Sequence, residues 1–169
     1  MIRRVILALI AFIPFFFFGQ NNKVVSTIEK HNLMESVLNP NQTLENVTVL
    51  SCPIPFKEFL SEGLWEKEVI RKTFTQQDIL WMKEQTQSIS VTWTESNTKN
   101  LRVVSSESFL FFKRKSLWRV SEPIFSIGGN SSIIYYTNFS KDSFIESLDI
   151  YKKTEMGWGF KESIFSSIN

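Results

Sequence analysis

From residue 101 onward, short apolar and β-branched runs alternate with turn residues, and the turns leave room only for hairpins. The runs are 101–104, 109–112, 118–125, 133–139, 144–151 and 158–165. Gly128, Gly129 and Asn130 make one tight turn, Lys141, Asp142 and Ser143 the next, and Met156 with Gly157 the last. A parallel crossover needs about a dozen residues or more, so strands this close in sequence are expected to pair antiparallel. Pro123 lacks an amide hydrogen, which places its strand at an edge or at a bulge.

The preceding part of the chain favours helices. In residues 24–38, Val24, Ile28, Met34, Val37 and Leu38 fall on one stripe, and Asn39 with Pro40 ends the segment. Residues 47–50 read as a short strand. Residues 56–71 read as a second helix on Phe59, Leu60, Trp65, Val69 and Ile70. Gly63 costs that helix about 1 kcal/mol relative to alanine, enough to divide it in two. A third helix starts at Thr75, which caps it, with Asp78 as the reciprocal acid three residues on. Helices followed by strands predict an α+β fold: N-terminal helices packed on a C-terminal antiparallel β meander.

The N-terminus is set apart. Arg3 and Arg4 precede an apolar run over residues 5–18, interrupted only by Pro14, and small or polar residues follow from Gly19. Secretory signal peptides have an apolar region of about 7–15 residues, whereas a membrane span needs roughly 20. This predicts a signal peptide over residues 1–19, cleavage after Gly19, and a single secreted or periplasmic α+β domain over 20–169 with no membrane span. Loss of Arg3 and Arg4 from the 19 basic residues leaves 17 against 17 acidic ones. A balanced chain lacks the clustered excess of Lys and Arg that nucleic acid requires. The run Lys113, Arg114, Lys115 reads as a solvated loop. Cys52 is the one cysteine, so no disulfide forms within the chain, and its neighbours Leu50, Pro53, Ile54 and Pro55 predict a buried thiol.

Three sets of residues also carry a resemblance. Phe74, Thr75, Asp78, Ile79, Met82, Lys83 and Gln85, and the run Val120–Ser121–Glu122–Pro123–Ile124–Phe125–Ser126, resemble segments of small exported proteins of Gram-negative bacteria whose role is uncharacterised. Leu148, Ile150, Tyr151, Lys152, Lys153, Gly157 and Trp158 resemble the closing hairpin of the same proteins. Those proteins often carry a cysteine pair in the strand after the proline motif. Here that strand, Ile133–Ile134–Tyr135–Tyr136–Thr137–Asn138, has none. The resemblance implies a shared fold and export, and supplies no activity.

Reactive side chains are few. His31 is the one histidine, which excludes multi-histidine metal sites and reads as a surface residue of the first helix. Neither a metal nor another cofactor is implied. Glu122 and Asp149 both interrupt strands, and a carboxylate pair about 5–10 Å apart could serve a small hydrolase. The competing reading sends both acids to solvent on the open face of the sheet. Among the aromatics of the strand region, Tyr135 and Tyr136 are adjacent, so alternation sends them to opposite faces and offers one to a ligand. Trp118 and Trp158 read as packing residues. Together these features predict a non-enzymatic exported domain that binds a protein, glycan or small ligand through its sheet. A carboxylate hydrolase and a structural envelope protein are the alternatives.

Overall fold

The computed structural model describes residues 25–38, 47–56, 63–87, 92–94, 101–105, 116–140 and 143–168. The expected signal segment, the 109–112 run, the Lys113–Arg114–Lys115 cluster and Asp142 lie outside the described residues.

Seven strands form one mixed sheet. They are β1 (Val47–Leu50), β2 (Leu101–Val104), β3 (Leu117–Val120), β4 (Ile124–Phe125), β5 (Ser131–Phe139), β6 (Phe144–Thr154) and β7 (Gly157–Ile168). The order is β2-β1-β3-β5-β6-β7, with β4 paired to β5. β3, β5, β6 and β7 are successive antiparallel neighbours, as their short connections require. The other end of the sheet corrects the expected antiparallel meander. β1 comes from the helix-rich half, yet it lies between β2 and β3 and runs parallel to both. The long connection after β1 permits this, because it carries two helices across to β2. All four residues of β1 are buried. A strand covered on both faces has no need of polar alternation.

The helices are α1 (Thr27–Leu38), α2 (Glu68–Thr73) and α3 (Gln76–Gln85), with a 3-10 turn at Leu64–Glu66. α1 packs on one face of the sheet: Leu33, Met34, Val37 and Leu38 cluster with Val49, Val120, Ile134, Tyr151 and Trp158. The opposite face is covered by Leu64, Trp65, Ile70, Phe74, Ile79 and Met82, which cluster with Ile124, Ile133, Tyr135, Leu148 and Ile150. The sheet is therefore the middle of three layers. From Gly63 on, the expected second helix divides into the 3-10 turn and α2.

α3 starts as its sequence predicts. Thr75 Oγ1 accepts from the Asp78 amide at 3.1 Å, and Asp78 Oδ2 accepts from the Thr75 amide at 3.1 Å. Asp78 Oδ1 also accepts from the Ile127 amide at 2.9 Å, which ties the cap to the turn after β4. Gln85, at the other end of α3, brackets Phe125: its Nε2 donates to the Phe125 carbonyl at 2.6 Å and its Oε1 accepts from the Phe125 amide at 2.9 Å. This side chain supplies β4 with the pairing that a neighbouring strand would otherwise give. Pro123 separates β3 from β4, dividing the 118–125 run in two.

Two expectations about burial are overturned. On α1, Ile28 is 61% exposed and His31 only 1% exposed. The buried set His31, Leu33, Met34, Val37 and Leu38 keeps the helical period but turns His31 inward, edge-on to Trp93 at 5.3 Å between centroids. His31 Nδ1 lies 2.8 Å from the Thr27 carbonyl; a carbonyl only accepts, so this nitrogen carries the proton. Cys52 is exposed, not buried. β1 ends at Leu50, the chain bends at Ser51 and Cys52, and Ile54 takes the inward place through a parallel bridge to Ser121.

The N-terminal half of α1 is fixed from two sides. Lys30 pairs with Glu122. Glu29 accepts from Trp158 Nε1 at 2.8 Å and pairs with Lys153 at 2.7 Å. At the far edge, β7 carries register shifts opposite Leu148/Asp149 and Ile150/Tyr151, irregularities that blunt an open edge.

Candidate functional site

Ser147, Asp149 and Tyr151 alternate along β6, so they share the face that α1 covers. On β5, Tyr136 pairs with Ser147 and Ile134 with Asp149. Tyr136 Oη donates to Asp149 Oδ2 at 2.6 Å, and Ser147 Oγ donates to Asp149 Oδ1 at 2.6 Å. Asp149 is 2% exposed. Each of its oxygens is held by a neutral hydroxyl, and no basic side chain among the described residues forms an ion pair with it.

β7 supplies an aromatic wall. Phe160 stands opposite Tyr151, its ring meeting that of Tyr151 at 5.9 Å, and Trp158 stands opposite Lys153. The connection from β6 is the two residues Glu155 and Met156. Gly157 follows with φ +113°, a conformation that L side chains rarely adopt. From α1 come Asn32, Glu35 and Ser36, spaced as one helical face, with Val37 beside them. These residues, with Tyr136, Asp149, Tyr151 and Gly159, line a half-open cleft of about 590 Å³ between α1 and the β6–β7 hairpin. Sites for small molecules span about 300–1,000 Å³.

The phenols of the cleft are held neutral. Burial raises Tyr136 well above the ordinary phenol range, and the hydrogen bond to Asp149 and the charge of that acid add to the shift. Tyr151 moves the same way, through burial first and then its neighbours Tyr136 and Asp149. Protonated phenols beside a buried carboxylate act as fixed donors and apolar walls.

No protein-family model, curated protein or solved structure matches the chain. Its chemistry therefore rests on the cleft itself.

Of the four residues singled out in the sequence, two meet there. Tyr136 and Asp149 line the cleft and bond to each other. Tyr135 lies on the opposite face at 2% exposure, packs on Phe165, and donates to Glu146 at 2.6 Å. Glu122 is outside the cleft, paired with Lys30. Neither acid is a solvated residue of an open sheet face: Asp149 is buried, and Glu122 is half-buried in its pair with Lys30. Trp158 packs in the α1 cluster and also lines the cleft; Trp118 packs against the same cluster and tilts on Tyr136 at 5.7 Å. His31 is not part of the cleft, so Ser147 and Asp149 have no histidine to complete a nucleophilic triad. Among the described residues no group of three His, Cys, Asp or Glu side chains is placed to hold a metal ion. No helix among them is long and apolar enough to cross a membrane.

Sequence reasoning missed Asn32, Glu35, Ser36 and Phe160. The helical spacing of the first three marks one polar face, but nothing local says that it overhangs a sheet. Ser147 and Asp149 carried a better signal: two polar residues at period two inside an apolar strand.

Proposed function

We propose that this chain is an exported domain that captures a small ligand in the cleft between α1 and the β6–β7 hairpin. The observation that carries the reading is the convergence of Tyr136, Tyr151, Trp158 and Phe160 on one cavity that also presents the buried Asp149 carboxylate. Aromatic walls give area for stacking, and a few polar groups orient what enters. A free small molecule, a terminal sugar of a glycan, or one side chain of a protein fits the dimensions. Arg3, Arg4 and the apolar run of residues 5–18 support secretion or a periplasmic location, with the mature chain starting at Gln20. The resemblance to small exported bacterial proteins agrees with that location.

Capture is tested by following backbone amide resonances while sugars, amino acids and organic cations are titrated in turn. Shifts confined to Tyr136, Tyr151, Trp158 and Phe160, and abolished in Tyr136→Ala, are the expected result. Shifts that map elsewhere, or no shifts from any class, overturn the reading. Intact mass of protein from the envelope or medium tests export: retention of residues 1–18 counts against it.

A second reading rests on one specific observation: Glu35 lines the same cleft as Asp149. A hydrolase would use this pair, and not Glu122 with Asp149. Turnover of chromogenic glycosides that is lost in both Glu35→Gln and Asp149→Asn would favour it.

A further inference from the structure

We infer that the ligand of the cleft is a small organic cation carrying an ammonium group, an assignment that rests on the capture reading above. Three features point the same way. Among the described residues, the charged side chains that line the cleft are Glu35 and Asp149, both acids, with no Lys, Arg or His. Asp149 is almost fully buried and hydrogen-bonded only to hydroxyls that carry no charge. Buried charges in proteins are nearly always compensated by an opposite charge, because the hydroxyl bonds answer the geometry of the carboxylate without neutralising it. Of the nearby lysines, Lys30 pairs with Glu122, and Lys153 pairs with Glu29 while its ammonium lies 6.0 Å from the centroid of the Trp158 ring.

The walls complete the argument. Tyr136, Tyr151, Trp158 and Phe160 present aromatic surface around the same space. Aromatic faces attract a cation through the ring quadrupole, and the attraction is strongest where water is excluded. An ammonium group in this space would lie among the Tyr136, Tyr151 and Phe160 rings and the Asp149 carboxylate, all of which line it. A neutral sugar would find the aromatic surface but would leave the carboxylate uncompensated. An anion would be repelled by Asp149. Tyr136 joins the two parts of the site, because its ring lines the wall while its hydroxyl holds Asp149 in place.

The probe pair is choline and 3,3-dimethylbutan-1-ol, which have the same shape and differ in the charge. Binding is read by calorimetry and by the amide resonances of the cleft. Choline should bind more tightly than the neutral alcohol by roughly tenfold or more, the scale of a desolvated cation–aromatic and ion-pair contact. Asp149→Asn, which keeps the side-chain size, should remove most of that preference. If that variant fails to fold, Trp158→Leu with an unchanged amide spectrum elsewhere should lower choline affinity while sparing the alcohol. Equal affinity for the two probes overturns the cation assignment. So does preference for a neutral sugar, and that result leaves ligand capture standing. Absence of any cleft shift from cation, alcohol and sugar alike removes both readings together.

Discussion

Tyr135 and Tyr136 are neighbours in sequence, and each donates a hydrogen bond of 2.6 Å to a carboxylate, yet they belong to two different environments. Tyr135 lies with Ile133, Leu148 and Ile150 beneath α2 and α3, in a face built of apolar contacts. Its acid, Glu146, is half-buried and within reach of water. Tyr136 lies with Ser147, Asp149 and Tyr151 beneath α1, beside the cleft, and its acid is buried. One strand thus presents a core to one side and a site to the other. The difference is set by what covers each face. Closely packed helices exclude polar groups, whereas α1, anchored by Glu29 and Lys30 near its N-terminal end, leaves an overhang along Asn32, Glu35 and Ser36. Substitutions on the two faces should therefore separate stability from binding.

The largest effect belongs to the apolar face. Ile150 is fully buried there, and Ile150→Ala should cost about 2–5 kcal/mol through lost transfer energy and the cavity left behind. Urea denaturation measures it. The ligand affinity of the protein that remains folded should be unchanged, because Ile150 points away from the cleft. A variant that loses affinity before it loses stability would show that the two faces are coupled.

Tyr136→Phe should cost less stability, about 1–3 kcal/mol, since it strips one of the two hydroxyl donors from a buried carboxylate. Tyr135→Phe removes a bond of the same length and should cost about 0.5–1.5 kcal/mol, because Glu146 can turn to solvent. Only the first should change ligand binding. Equal costs measured by thermal and urea denaturation would remove the distinction between the faces.

The parts of this contrast that depend on neighbours in sequence were legible before the structure. The hairpins β5–β6 and β6–β7, the cap at Thr75 with Asp78, the break at Pro123 and the division at Gly63 follow from local chemistry. Alternation alone sends Tyr135 and Tyr136 to opposite faces. The parts that depend on remote partners were not legible. The four residues of β1 carry no mark of being inserted between two parallel strands. His31 reads as a surface residue until Trp93 arrives from more than sixty positions away to cover it. Glu122 and Asp149 looked alike as acids within strands, but a lysine on α1 claims one and a tyrosine on β5 the other. Asn32, Glu35 and Ser36 became site residues only because α1 lies over the β6–β7 hairpin, a matter of packing that no local pattern records.

The gentlest probe of the contrast leaves the sequence untouched and changes only pH. The chain has three tyrosines, and in all three the folded state raises the phenol above its ordinary value, burial being the largest cause each time. A phenol free in the unfolded chain ionises near pH 10, roughly the value of model peptides. Since the folded pKa values lie above the unfolded ones, the unfolded chain releases protons first as pH rises. Stability contributed by the neutral phenols is therefore fully present below about pH 10 and is lost progressively above it, as the pH climbs toward the folded values. Around neutral pH these groups make stability no function of pH. Phenolate absorbance should stay flat in the folded protein past pH 10, whereas the urea-unfolded chain should titrate all three groups there. The melting temperature should begin to fall over the same range. One phenolate appearing near pH 10 in folded protein, and missing in Tyr136→Phe or Tyr151→Phe, would place that ring in open water and break the contrast on the cleft side. The same signal missing in Tyr135→Phe would break it on the side of α2 and α3.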